Sequence, residues 1–173
     1  GWREPAVALD AHIEGHDPHR QLTHIAAGAL RLEVPLVDAP PGATVRVQLA
    51  AREVILASQR PEGLSLRNTL EAQVITVESA AHPALRLVHL AVGETRLLSL
   101  VTADAARDLA LEPGKPILAL IKAVAIGAFA LAAESTGFYF AADARALALN
   151  LGRWDTSNEG PYAWTPLAAI KPA

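Results

Sequence analysis

Apolar and polar residues alternate in short runs through the first two thirds of the chain, and turn residues separate the runs. Leu30, Leu32 and Val34 alternate with Arg31 and Glu33, the period of a strand with one buried face. Residues 44–57 read as one long strand, with Val45, Val47 and Leu49 on one face and Arg46 and Gln48 on the other. Weaker patterns over 6–14 and 22–26 predict two earlier strands, parted by Gly15-His16-Asp17-Pro18. After Pro61-Glu62-Gly63 the pattern predicts strands over 70–78, 85–92 and 95–101, the last two joined by the tight turn Gly93-Glu94. Thr102 and Asp104 supply capping oxygens for a short helix over 105–111, which Glu112-Pro113-Gly114-Lys115 stops. Residues 117–126 form the last strand of this unit. Many strands, one short helix and compact turns predict a mainly β fold, a small OB-like barrel. The turns Pro41-Gly42 and Pro113-Gly114 hint at related halves.

Beyond Gly127 the pattern changes. Residues 137–140 predict a strand and 141–151 an Ala-rich helix. Residues 152–173 carry Pro, Gly, Asn and three aromatics without a clear period. The expected organisation is therefore a barrel over 1–127 and a C-terminal appendage over 128–173.

Composition narrows the function classes. The 173 residues contain no Cys, which excludes disulfides, thiol nucleophiles and iron–sulfur ligation. An apolar share of 51% against 19% charged residues predicts a packed core rather than a disordered chain. From Arg3 to Ile126 there is no aromatic residue, so that core must be built from Ala, Val, Leu and Ile. Single-strand nucleic-acid binders of the OB type stack bases on aromatic side chains, which a barrel without aromatics cannot do. The net charge of −3 gives no basic patch, and no nucleic-acid partner is expected. The apolar run 123–133 is shorter than the roughly 20 residues that span a bilayer.

Four places could carry chemistry. Ser65, Arg67 and Asn68 put a hydroxyl, a guanidinium and an amide together after a Pro-Glu-Gly turn. All three donate hydrogen bonds, which suits a tetrahedral oxyanion whose oxygens only accept. A polar surface turn is the alternative. Thr102, at a helix start, is either an anion contact or a plain cap. Lys122 is the one charge within 117–126, so it is expected to meet a partner or an interface. His12, His16, His19 and His24 cluster near Asp17, but a strand–turn–strand layout scatters their side chains, so no metal site is expected. There is no G-x-x-x-x-G-K-S/T loop, G-x-S-x-G elbow or H-E-x-x-H motif, and no catalytic role is expected of this chain.

These residues together resemble a known family. Leu32-Glu33-Val34-Pro35, then Pro41-Gly42-Ala43-Thr44-Val45-Arg46-Val47 and 51–57, are similar to the C-terminal domain of the ATP-binding subunit of molybdate importers. Ser65-Leu66-Arg67-Asn68-Thr69-Leu70 resembles that family's molybdate-binding signature. Leu111-Glu112-Pro113-Gly114-Lys115-Pro116 and Ala119-Leu120-Ile121-Lys122 resemble its closing turn and strand. The resemblance covers about residues 5–126. It implies a TOBE or Mop-type oxyanion-binding domain with an OB-like barrel. It also implies sites formed between subunits of a dimer.

The resemblance further implies that Ser65, Arg67, Asn68, Thr102, Lys122 and Ala123 hold a molybdate or tungstate ligand. Arg67 and Lys122 would neutralise the dianion, and the polar residues would donate hydrogen bonds. Ala105 and Ala123 stand where the family usually has Ser, and Ala72 where it usually has Gly. Each hydrogen bond lost to a charged group is worth about 1.5–3 kcal/mol, a decade or more of affinity. The partners implied are a second copy, an ATP-binding domain and membrane subunits, at the cytoplasmic face of the membrane. The full-length subunit would be an ATPase, whereas this chain has no phosphate loop. The alternatives are a stand-alone molybdate storage protein or a molybdate-responsive gene regulator. An OB-type nucleic-acid binder ranks below both.

Overall fold

A computed structural model describes residues 4–131 in full and the backbone of 152–154 and 164–166. Two compact units divide the chain, Gly1–Phe129 and Ala130–Ala173.

The first unit contains two five-stranded sheets. The strands are β1 (Ala6–Asp17), β2 (Leu22–Ala27), β3 (Leu30–Pro35), β4 (Thr44–Ala50), β5 (Ile55–Ala57), β6 (Asn68–Ser79), β7 (Leu85–Val92), β8 (Thr95–Thr102), β9 (Pro116–Ile121) and β10 (Gly127–Ala130). The first sheet runs β10-β4-β1-β2-β3 and the second β5-β9-β6-β7-β8. Each half of the chain thus gives its last strand to the other half's sheet. The mainly β, OB-like class read from the sequence is the fold adopted, arranged as two related sheets that exchange strands.

The halves repeat in detail. Gly42 N–H donates to Ile13 O at 2.8 Å, and Gly114 N–H to Val74 O at 2.7 Å. Ile13 N–H donates to Ala43 O and Val74 N–H to Lys115 O, both at 2.9 Å. The long strands carry matching bulges, between Ile13 and Gly15 in β1 and between Val74 and Thr76 in β6. A bulge bends a strand and increases its twist, which helps each sheet to curl. The two Pro-Gly turns sit at equivalent positions, each bonded to its own bulged strand. Equivalent hairpin tips also meet, since a side chain at Gly93 would place its Cβ 2.7 Å from the Cβ of Ala29.

The 44–57 run is not one strand. The 3₁₀ turn Ala51–Glu53 divides it, and Ala123–Ala125 divides the second repeat in the same way. At these turns the chain leaves one sheet and enters the other. Each turn shifts the phase of the pattern by one residue: Val45, Val47, Leu49 and Ala51 are buried before the first turn, and Val54 and Leu56 after it. Likewise, three residues of β10 lie beyond the predicted boundary at 127, because this strand completes the first sheet.

The buried side chains are aliphatic: Ile13, Ile25, Leu30, Val34, Val45 and Val47 in the first repeat, and Val74, Val88, Leu90, Leu97 and Ile121 in the second, are each at most 1% exposed. The helix α1 (Ala103–Asp108) begins two residues earlier than its apolar pattern predicts, because Thr102 caps it directly. Among the described residues no helix is long and apolar enough to cross a membrane.

In the second unit, β11 (Gly152–Trp154) and β12 (Trp164–Pro166) pair antiparallel with Trp154 opposite Trp164. The sequence showed no period there. The strand predicted over 137–140 and the helix over 141–151 lie outside the described residues.

Candidate functional site

The pairing of β6 with β9 sets the site. Asn68 lies opposite Ile121, and Arg67 and Lys122 are the next residues outward on the two chains. Both residues are exposed. Like charges facing each other across neighbouring strands are destabilising, and an anion between them removes that cost. Lys122 is the last extended residue before the 3₁₀ turn, with φ −69° and ψ 136°. Strict alternation groups Lys122 with Ile126, but the turn breaks that alternation. Ile121, Ala123 and Ile126 are buried while Lys122 and Val124 face out. Among the described residues no ion pair involves Lys122.

Ala123 adds a backbone donor. In the first repeat the equivalent Ala51 N–H donates to Pro5 O at 2.8 Å. In the second repeat Leu66 stands where Pro5 does, and its carbonyl accepts from Arg67 Nη1 at 2.9 Å. Among the described residues the Ala123 N–H, next to Lys122, is therefore without a backbone acceptor. Ser65 is exposed two residues before Arg67.

Asn68 has a structural task. It is 3% exposed, and its side chain pairs with the backbone of Glu33 on β3. Glu33 N–H donates to Asn68 Oδ1 at 2.7 Å, and Asn68 Nδ2 donates to Glu33 O at 2.9 Å and Ile121 O at 3.3 Å. Both amide hydrogens are committed. The side chain ties the first repeat to the strand end that carries Arg67. In sequence Asn68 looked like a donor for the ligand.

Thr102 lies elsewhere. It pairs with Leu85 beside the Ser79 end of β6, whereas Asn68 begins that strand. Within one chain the structure groups Ser65, Arg67, Asn68, Lys122 and Ala123 and sets Thr102 apart. Its hydroxyl accepts from Ala105 N–H at 3.0 Å, which leaves the hydroxyl proton free to donate. Ala72 is buried in the core at 8% exposure.

Arg67 and Asn68 also line a cleft of about 220 Å³ with Glu14, His24, Arg31 and Glu33. Both carboxylates have cationic partners: Arg31 Nε lies 3.1 Å from Glu14, and Arg20 Nη1 lies 2.7 Å from Glu33. The sequence reading missed Glu14, Arg31 and Glu33 as site residues and took His24 only as one of four clustered histidines. They come from three strands, and their only signal was a polar outward face. His16 belongs to the loop structure. Its Nε2 donates to Ala39 O at 2.7 Å, so its Nδ1 accepts from the Thr23 hydroxyl at 2.8 Å. Thr23 Oγ1 in turn accepts from Val37 N–H at 2.8 Å.

Two β-sheets that exchange strands, with two exposed cations at one strand end, describe an OB-like β module. Residues 64–127 match the TOBE domain family. The chain is similar to the molybdenum import ATP-binding protein ModC of Granulibacter bethesdensis, 39% identical over 130 residues. That match takes in 71% of this chain and 35% of the relative. ModC of Thiobacillus denitrificans is 40% identical over 120 residues, 69% of this chain and 33% of the relative. The chain thus spans about a third of the length of these relatives. A crystal structure of the cytoplasmic molybdate-binding protein ModG, with molybdate bound, is also similar: TM-score 0.58, 26% identity, 70% of this chain and 94% of that one.

Proposed function

We propose that this chain binds molybdate or tungstate as the regulatory accessory domain of a molybdate importer's ATP-binding subunit. The observation that supports the reading is the two exposed cations Arg67 and Lys122, each next in chain to the paired Asn68 and Ile121, beside the Ala123 N–H. A tetrahedral dianion offers only acceptor oxygens, and this cluster offers two cations and donors. Arg67 and Lys122 neutralise the charge, and Ser65 and the Ala123 N–H donate to it. Asn68 contributes by holding the Arg67 strand in place. Thr102 enters from a second copy, because it lies at the far end of β6 from Arg67. The active form is then a homodimer with ligand between its chains. Such a ligand regulates only if it binds one arrangement of the subunits better than another. In an importer the domain's partners are the ATP-binding domain and the membrane subunits, at the cytoplasmic face of the membrane.

The likeness to ModG, most of whose length is matched, supports a second reading as a stand-alone molybdate binder. Co-expression with importer membrane subunits separates the two, since only the accessory reading predicts co-purification of the full-length subunit. Calorimetric titration with molybdate, tungstate, sulfate and phosphate tests the binding itself. Saturable heat with the metal oxyanions is expected, and the Arg67→Ala, Lys122→Ala double variant should abolish it. Absence of heat at millimolar molybdate and tungstate refutes the reading. Undiminished binding by the double variant refutes the site.

A further inference from the structure

The first repeat provides an internal comparison for the Arg67–Lys122 locus. The bulge bonds align Ile13 with Val74 and Gly42 with Gly114. The register agrees: Ala6 pairs with Ala50 on β1 and β4, and Arg67 and Lys122 take the corresponding places next to the paired Asn68 and Ile121. Along this correspondence Glu4 stands for Ser65, Ala6 for Arg67 and Ala50 for Lys122. The two cations have become methyl groups, and the hydroxyl has become a carboxylate.

Two contacts close this second locus. The Ala51 N–H, equivalent to the donor at Ala123, is used by Pro5 O at 2.8 Å. The Glu4 carboxylate is ion-paired with Arg52 Nε, on the 3₁₀ turn that follows β4. Arg52 stands where the second repeat has Val124, which is 74% exposed and uncharged. An external oxyanion arriving here meets a carboxylate, a cation already paired and a backbone donor already bonded. Its own charge repels it from Glu4.

We propose that the chain holds one exchangeable oxyanion, at the second-repeat locus, and that the Glu4 carboxylate is the built-in anion of the first-repeat locus. This rests on the oxyanion reading above and adds its capacity: one tetrahedral dianion per chain, whatever the number of copies in the assembly. The first repeat keeps the strand exchange and the 3₁₀ turn while its anion comes from the chain itself.

Equilibrium dialysis of the 173-residue chain against sodium molybdate tests the capacity. One molybdate per chain at saturation is expected, and none for Arg67→Ala, Lys122→Ala. Two per chain overturns this inference while the oxyanion reading stands. None per chain overturns both. A second arm installs the missing side chains with Glu4→Ser, Ala6→Arg and Ala50→Lys together. Glu4 and Ala6 are exposed and Ala50 half-buried, so the triple variant should keep the wild-type circular dichroism. Its capacity should rise from one to two per chain. A folded triple variant that still binds one overturns the equivalence of the loci.

Discussion

Replacing Asn68 with Ala separates a clamp from a ligand. The side chain is 3% exposed and makes two short bonds to the backbone of Glu33, at 2.7 and 2.9 Å, and a longer one of 3.3 Å to Ile121 O. Ala removes all three and leaves the Glu33 N–H and C=O without partners in a half-buried strand. A buried polar group left unpaired costs about 1–3 kcal/mol. Water reaches part of Glu33, so the two groups together cost about 2–4 kcal/mol. For a domain of this size about 1 kcal/mol moves the midpoint by roughly 2–4 °C, so a fall of roughly 4–16 °C is expected in thermal unfolding. Asn68→Asp should recover little. Its carboxylate can accept from Glu33 N–H but faces the carbonyls of Glu33 and Ile121 with no hydrogen to give. Molybdate titration of the folded Asn68→Ala variant should show a smaller affinity loss than Arg67→Ala. Wild-type stability combined with lost molybdate binding refutes the clamp and returns Asn68 to the ligand's contacts.

The remaining predictions concern single contacts. Lys122→Ala should weaken molybdate binding about 10–100-fold by calorimetry, from the loss of one charge-assisted bond of about 1.5–3 kcal/mol, with unchanged stability. Gly93→Ala should destabilise by about 2–5 kcal/mol in urea unfolding, because left-handed backbone costs about 1–2 kcal/mol and overpacking adds about 1–3. Gly93 has φ +61°, and the new Cβ would sit 2.7 Å from Ala29 Cβ, so adding Ala29→Gly should recover the overpacking part. Thr23→Val, at a position with no exposure, should cost about 1–3 kcal/mol by leaving the Val37 N–H and His16 Nδ1 unpaired. Thr23→Ser keeps the hydroxyl and should lose less.

The strand content was legible because each sheet buries one face, which writes period 2 into the sequence. Leu30, Leu32 and Val34 are all buried, as the alternation requires. The exchange of strands was not legible, for the same reason. Each three-residue 3₁₀ turn shifts the buried face by one residue, from Ala51 to Val54 and from Ala123 to Ile126, and no Gly or Pro within either turn marks the change of sheet. The repeat left only its turn residues as a trace. Pro41-Gly42 and Pro113-Gly114 persist because Gly42 and Gly114 adopt φ +89° and +91°, a backbone that side chains disfavour. Around them the two repeats place different aliphatic residues, such as Ile13 and Val74.

The site shows a different limit. Residue type and local order marked Arg67 and Lys122, but only the β6–β9 register pairs Asn68 with Ile121, the residues beside them. At Asn68 the same chemistry admits two readings, clamp and ligand. An amide beside an arginine is as well suited to a strand's backbone as to an oxyanion, since both present acceptors, and the sequence does not say which acceptor is nearer. Here burial decides: a side chain at 3% exposure with both amide hydrogens used has none left for a ligand. Ala123 shows the converse. A methyl side chain carries no functional signal, yet among the described residues its backbone N–H is without a backbone acceptor while the equivalent Ala51 N–H is bonded. The contrast between two repeats of one chain, more than any motif, separates the residues that build the fold from those left free to meet an anion.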